Sequence, residues 1–320
     1  MKNIIAVILL CGLFASCQRS GELVEANHAL KGNRISNELQ GINHVQTKSE
    51  ESAAPAFAEA EISIINTENY FSINEDGAIT EYRGPRGAYV VIPNAIDGIT
   101  VTAIGNLLFE NRDLIGITIP DTVISIGFGA FYDNNITSVV IPDSVTTIGN
   151  FAFQFNSLTS IEIPESVAVI GADAFAHNLL ESVSIPNSIP FIYAGAFSNN
   201  RLTSVTIPEG LDFIVWALFA GNRLTSVYIP NTVTSIMVEA FAGNQLTSVV
   251  IPDSVRRIGG LAFTRNPLTS ITIGTDVWLG GGIMPSDAFD NGFDDFYNAN
   301  GRQAGTYVFA DGQWSVDKLR

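Results

Sequence analysis

The chain has 320 residues, enough for one elongated domain or two small globular ones, and 46% of them are hydrophobic, enough for a sizeable core. Its formal net charge is −16, and no basic run offsets the excess of acidic residues. A surface this acidic repels nucleic acid and anionic lipid headgroups, so nucleic-acid binding is excluded.

The first residues are typical of an export signal. After a single basic residue, Ile4 to Phe14 form an apolar stretch of 11 residues, which is too short to cross a bilayer core of about 30 Å. Two small residues then precede Cys17, an order that resembles a bacterial lipobox. We expect residues 1–16 to be a lipoprotein signal peptide and Cys17 to carry the lipid that attaches the chain to a membrane. The alternative is an ordinary cleaved signal in which Cys17 is incidental.

Cysteine usage limits the chemistry of the folded part. The two cysteines are Cys11 and Cys17, and Cys11 lies in the segment that would be removed. With Cys17 acylated no thiol remains, which excludes disulfides, thiolate metal sites and a cysteine nucleophile. The fold must therefore be held by a large hydrophobic core.

Residues 17–60 are polar, lack periodicity and contain few large apolar side chains. This composition predicts a flexible tether between the anchor and the folded body. A weak helix near Glu22–Leu30 is the alternative, because that part has fair helix propensity. Residues 61–93 then predict an N-terminal β cap, since two apolar runs, 70–73 and 78–82, flank a turn sequence that ends in Gly77.

A repeat of 22 residues dominates the middle of the chain and predicts a leucine-rich repeat β-solenoid over residues 94–273. Three residue types recur in this register: Pro at 120, 142, 164, 186, 208, 230 and 252; Phe at 109, 131, 153, 175, 197, 219, 241 and 263; and Asn at 134, 156, 178, 200, 222, 244 and 266. The first repeat, from Val90 to Gly105, has five extra residues, since its Pro93 precedes Pro120 by 27.

The chemistry of the unit predicts its path when the repeat is numbered from its Leu, such as Leu158. Alternating apolar residues at positions 4 and 6 indicate a short strand with one buried face, and the Pro at position 7 ends it. Apolar residues at positions 10 and 13 point inward on the return path. The Phe at position 18 should form a stacked spine, and the Asn at position 21 a buried ladder, because a buried amide needs partners.

The period breaks after residue 273, and residues 274–320 predict a C-terminal α/β cap. A short helix at 293–298 is expected to lead to a hairpin, formed by 306–309 and 314–316 around Asp311-Gly312. Such caps are required because each coil buries its apolar face only against its neighbours.

Large apolar residues replace small or polar ones at positions 12, 14 and 15 of the central coils, a pattern that favours an interaction site. The alternative is that these side chains fold inward as a local variant of the core. The partner-binding candidates are Phe191, Tyr193, Phe213, Val215, Trp216 and Met237, with Tyr228 on the strand face.

Catalytic chemistry has weak support in the sequence. Adjacent coils would bring Asp143 and Glu165 together, as in a glycosidase, but the repeat creates such pairs automatically. His177 is the one histidine in the repeats available to a Ser-His-Asp site. We expect no catalytic residues, no metal site and no cofactor.

The strings VVIPNAIDGITVTAIG, LTSVVIPDSVRRIG and AFAGNQLTSV, with the C-terminal NGFDDFYNANGRQAGTYVFADGQWSV, resemble the BspA-like leucine-rich repeat proteins over about residues 70–320. The resemblance implies a solenoid displayed on a bacterial cell surface, often as an adhesin for host matrix proteins or other cells. This chain departs from the family's common 23-residue unit with Cys near position 21, where it has Asn. The function we expect is a lipid-anchored envelope protein that binds a protein or glycan. The alternatives are a glycan- or cell-wall-processing enzyme and a structural envelope protein.

Overall fold

The computed structural model describes residues 64–65, 68–280 and 287–317. Of the two units into which the chain divides, Met1–Glu61 and Ile62–Arg320, only the second contains described residues. The expected signal peptide, the lipid on Cys17 and the tether therefore lie outside the described residues. The boundaries drawn from the sequence for the caps and the solenoid remain predictions.

The described part is a β-solenoid of about nine turns with coils of about 22 residues, which confirms the predicted fold class. Its strands are β1 (Ile64–Ile65), β2 (Phe71–Ile73), β3 (Ala78–Tyr82), β4 (Tyr89–Val91), β5 (Ala95–Ile96), β6 (Ile99–Thr100), β7 (Ala103–Ile104), β8 (Gly116–Thr118), β9 (Ser125–Ile126), β10 (Thr147–Ile148), β11 (Ser160–Glu162), β12 (Val169–Ile170), β13 (Ser182–Ser184), β14 (Phe191–Ile192), β15 (Phe213–Ile214), β16 (Ser235–Ile236), β17 (Ser248–Val250), β18 (Arg257–Ile258), β19 (Ser270–Ile273), β20 (Trp278–Leu279), β21 (Gly305–Ala310) and β22 (Gln313–Asp317). One 3-10 helix (Glu68–Tyr70) and one α-helix, α1 (Phe293–Ala299), complete the described elements.

The coils contribute to two sheets, although the coil that begins at Ile136 has no strand at positions 3–6. The leading sheet uses repeat positions 3–6 and contains the parallel pairs β4–β8, β11–β13 and β17–β19. A return sheet at positions 12 and 13 was not expected as a sheet. Its parallel strands form one group from β7 to β14 and another from β15 to β20. The Ile at position 13 is buried in both groups, so the return path is a second β layer over the same core.

The predicted phenylalanine spine is confirmed. The eight Phe residues from Phe109 to Phe263 are fully buried, and Phe289 extends the row into the C-terminal part. Successive rings stack with centroids 5.0–6.0 Å apart and planes within 18° of parallel. Each ring thus packs against the coils before and after it, which makes the spine the continuous part of the core.

The predicted asparagine ladder is also confirmed, and its geometry explains the choice of residue. The Oδ1 of Asn178 accepts the backbone N–H of Leu158 at 3.0 Å, and its Nδ2 donates to the carbonyl oxygens of Phe153 and Phe175 at 2.9 and 3.1 Å. The same three bonds recur from Asn134 to Asn266. An ionised aspartate has no N–H to donate, so only an amide satisfies all three groups.

A third connection between coils depends on left-handed backbone. Positions 16 and 20 have φ between 49° and 67° in the successive coils, whether the residue is Gly195 or Phe151. With positive φ at these two positions, the backbone N–H groups of positions 16, 18 and 20 point toward the next coil, as when Phe153 donates to the carbonyl of Ala174. Residues other than Gly, Asn and Asp pay a conformational cost at such positions. This conformational cost is offset by the hydrogen bonds between coils that the positive φ values allow.

Hairpins close the N-terminal side. Strands β2 and β3 pair antiparallel around the predicted turn, and their Phe71 and Tyr82 rings pack on Phe109. The five extra residues of the first repeat form a second hairpin, β5–β6, around Asp97-Gly98, where both residues have positive φ. This is the two-residue turn that Asp-Gly favours.

The C-terminal helix and hairpin lie where the sequence predicts them. Helix α1 places Phe293 against Phe289 at the end of the spine, and β21 pairs antiparallel with both β19 and β22. The carboxylate of Asp294 accepts the N–H groups of Ala288 and Phe289. Among the described residues, no helix is long and apolar enough to cross a membrane.

Candidate binding surface

Several aromatic side chains are exposed along the return sheet, and three of them lie on the central coils. Phe191, Tyr193 and Phe213 expose 59%, 38% and 47% of their surface, and we call them the central aromatic patch. The other predicted members are half-buried: Val215 packs against the core, and Trp216 and Met237 are partly covered. Three of the six candidates on the return path are therefore exposed, and their part in binding stays a prediction.

The patch lies where the return sheet is interrupted. Pro190 occupies position 11, where Ala168 in the preceding coil donates its N–H to Thr146 at 2.8 Å. Pro190 has no N–H to give to Ala168, although β12 and β14 still pair. On the other side of this coil, strands β14 and β15 are not paired. The rings of Phe197 and Phe219 lie 6.0 Å apart at this junction, as do those of Phe219 and Phe241 at the next. The patch thus lies at a junction where the return sheet is not continuous.

Position 14 also differs in the central coils. Most coils have glycine there because the preceding coil is too close for a side chain. A Cβ on Gly149 would lie 2.7 Å from the carbonyl carbon of Gly127, and one on Gly171 would lie 2.3 Å from a backbone nitrogen. Tyr193 and Val215 stand at this position on either side of the interruption, and Met237 stands there beside the continuous pairs β15–β16 and β16–β18. The interruption is therefore not what admits a side chain at position 14.

Tyr228 lies apart from the patch, on the leading sheet. It exposes 63% of its surface and lines a groove of about 530 Å³ between the last coils and the C-terminal hairpin. The sequence placed Tyr228 on an outward face but gave no sign that the hairpin completes a groove there. The missed residues are Asn231 and Asp253 at position 8, together with Ala304 and Gly305.

The predicted carboxylate pair lines a smaller groove. Asp143 and Glu165 share about 370 Å³ with Glu162, and Glu165 accepts a hydrogen bond from Ser188. The carboxyls whose pKa burial raises to about 6, Asp173 and Asp294, do not line this groove. No group of three metal-ligating side chains occurs within residues 64–65, 68–280 and 287–317.

His177 has a structural environment. Its ring stacks on Phe155 at 4.5 Å, and its Nε2 lies 3.4 Å from the Asn199 amide. Burial lowers the pKa of His177, which favours the neutral form of the ring. The contacts of the ring are with an aromatic face and an amide rather than with a serine and a carboxylate.

Comparison with known proteins places the repeats in a family. The model of the BspA type leucine rich repeat region matches residues 102–223 and 212–280 in six copies, more than half of the chain. No curated protein is similar enough to count as a match. A leucine-rich repeat protein from Bacteroides ovatus is similar in structure, with a TM-score of 0.54 and 26% identity over 69% of this chain and 60% of that one.

A leucine rich cell surface protein from Faecalibacterium prausnitzii is 28% identical over 77% of this chain and 58% of its own length, with a TM-score of 0.45. The T. pallidum leucine rich repeat protein is 27% identical over 56% of this chain and 88% of its own, with a TM-score of 0.47. This chain thus spans about 60% of the first two solved proteins. On this family match, with its six copies over more than half of the chain, the chain belongs to the BspA-type leucine-rich repeat family.

Proposed function

We propose that this chain is a lipid-anchored cell-envelope protein that binds a protein partner through the central aromatic patch. Family membership supports a repeat-based binding or structural role. The observation that carries the finer proposal is the exposure of Phe191, Tyr193 and Phe213 on adjacent coils. At the equivalent positions most other coils have Ser, Thr or Gly, and the exceptions include Val169, Arg257 and Trp278. Envelope location rests on the signal that ends at Cys17.

The chemistry of the patch favours a protein as the ligand. Its exposed groups are aromatic faces, and Val169 and Ser235 pair with Phe191 and Phe213 on its two sides. The nearest charge in the same strand row is that of Arg257, one coil beyond Ser235. Rigid aromatic side chains on a fixed scaffold lose little conformational entropy on binding and are common hot spots in protein interfaces. A ligand that buries this patch needs an apolar surface of its own, as a protein partner offers.

The test is a double substitution, Phe191→Ser with Phe213→Ser. The immobilised protein would first be used to capture and identify partners from host matrix and bacterial surface proteins, and the affinity of each purified partner would then be measured. Loss of a hot spot costs about 2 kcal/mol or more, so we expect at least a 30-fold weaker affinity. The melting temperature should stay within about 2 °C, because both rings are exposed.

Phe128 offers a matched control, since it is an exposed phenylalanine in an early coil, 42% accessible. Phe128→Ser should leave the affinity unchanged. Unchanged binding by the double variant, with a large fall in melting temperature, would show that the patch is part of the core. Equal losses in the double variant and in Phe128→Ser would indicate a general effect of surface apolarity.

A further inference from the structure

A groove at the C-terminal end of the leading sheet combines an aromatic face with polar groups. Tyr228 and Val250, both at repeat position 5, expose 63% and 62% of their surface and form its apolar side. At the far side β21 pairs with β19, and the hydroxyls of Thr272 and Thr306 lie 2.9 Å apart. The volume, about 530 Å³, falls within the range usual for small-ligand sites.

The polar groups of this groove have unused hydrogen-bonding capacity. In the described part of the chain, no hydrogen bond reaches the Asn231 amide, the Asp253 carboxylate or the Tyr228 hydroxyl. The Arg256 guanidinium does contact Asp253, but it donates to the backbone carbonyl and leaves the carboxylate free. The equivalent carboxylate in an earlier coil, that of Glu165, is already occupied by Ser188.

From this combination we infer that the groove binds a neutral glycan. A sugar ring has an apolar C–H face, which suits the exposed ring of Tyr228, and a rim of hydroxyls that donate and accept hydrogen bonds. The carboxylate of Asp253 accepts strongly from a hydroxyl because the bond is charge-assisted, and the Asn231 amide both donates and accepts. The groove thus offers an aromatic ring to the apolar face of a sugar and hydrogen-bonding groups to its hydroxyls.

The negative charge of the groove indicates which class of glycan it can bind. Lining residues of the groove include no Lys or Arg, while Asp253 is acidic and the whole chain carries −16. Sugars with carboxylate or sulfate groups are repelled from such a site. The pairing of β19 with both β17 and β21 also leaves that strand no free edge for an added peptide strand. A neutral oligosaccharide is the ligand that matches these groups.

This site is separate from the central aromatic patch, since it lies on the leading sheet and the patch on the return sheet. The test applies the purified full chain to an array of neutral and acidic oligosaccharides, and measures the affinity for any bound neutral glycan by calorimetry. Tyr228→Ala should weaken that affinity at least tenfold, and Asp253→Asn several-fold, because it removes the charge from the acceptor.

Val140 supplies the matched control. It is at position 5 of another coil and exposes 81% of its surface, so Val140→Ala should leave glycan affinity unchanged. The Phe191→Ser and Phe213→Ser double variant should also bind glycan normally, so failure of the patch and failure of the groove give different results. The inference is overturned if the folded protein binds no arrayed neutral glycan, if acidic glycans bind better, or if Tyr228→Ala binds as well as Val140→Ala. A protein ligand displaced by Tyr228→Ala, without any glycan binding, would also overturn it.

Discussion

The asparagine ladder allows the cost of one residue to be compared at two places along the solenoid. We predict that Asn134→Ala lowers the free energy of unfolding more than Asn200→Ala does. Both side chains are buried and make the same kinds of bonds. They differ in how many of their partners would be left without any hydrogen bond.

In the interior the ladder is redundant. When Asn200 is removed, the Phe175 carbonyl still accepts from Asn178 and the Phe197 carbonyl from Asn222. Only the N–H of Leu180 loses its sole partner. An unsatisfied buried group costs about 1–3 kcal/mol, which is the expected loss for Asn200→Ala.

At the first rung there is no preceding asparagine, since Arg112 occupies that place. The removal of Asn134 leaves the Phe109 carbonyl and the N–H of Leu114 without partners, and also the half-exposed N–H of Arg112. Water can reach the last of these. Two buried groups left without a partner, at about 1–3 kcal/mol each, lower the expected free energy of unfolding of Asn134→Ala by about 2–6 kcal/mol.

Urea unfolding of the two variants and the parent measures the difference, provided that the slopes agree. Asn187→Ala is the control, because Asn187 is exposed and its substitution should change stability by less than about 0.5 kcal/mol. Equal losses of unfolding free energy for Asn134→Ala and Asn200→Ala would refute the idea that the cost depends on the number of buried groups left without a partner. A larger loss at Asn200 would show that coil position, rather than hydrogen bonding, decides the cost.

Ala217 has φ 51°, so Ala217→Gly should stabilise the fold by about 0.5–1 kcal/mol, whereas Ala220→Gly, outside the left-handed region, should destabilise it; thermal unfolding compares the two. Burial raises the pKa of Asp173 from 3.8 to about 6. The folded state then disfavours the ionised form, a penalty that is absent well below pH 3.8 and complete above pH 6. Asp173→Asn should therefore stabilise by about 1–3 kcal/mol at pH 7.5 and by less at pH 4.5, and an equal gain at both values would refute this cause. Cys17→Ala should abolish incorporation of a labelled fatty acid, and a variant that keeps the label would disprove the anchor.

The spine and the ladder could be predicted because each depends on the chemical identity of one recurring residue. Phe175 and Asn178 repeat every 22 residues, and a buried ring and a buried amide each have few alternatives. The return sheet and the left-handed positions were missed for the opposite reason. Both features are made by backbone groups. Residues as different as Phe151 and Asp173 therefore adopt the same positive φ, and the sequence shows no recurring residue type at this position.

The candidate site was predictable only in part. Phe191 and Phe213 were placed outward correctly, but the sequence did not separate them from Val215, which contacts the core from an adjacent position. The effect of Pro190 becomes readable once the N–H of position 11 is known to join neighbouring coils. The groove near Tyr228 depends on where the C-terminal hairpin folds back, a long-range contact that no local pattern encodes.

The recurring hydrogen bonds of the ladder span 20 or 25 residues between coils and three within one coil. Deletion or duplication of one whole unit would therefore join surfaces that already match, with every amide meeting the same partners as before. Recombination between copies in the gene can lengthen or shorten such a protein without redesigning its ends. The coil that contains Phe191 is the exception, because its β14 does not pair with β15 of the next coil, and a change of length there would alter the exposed rings themselves.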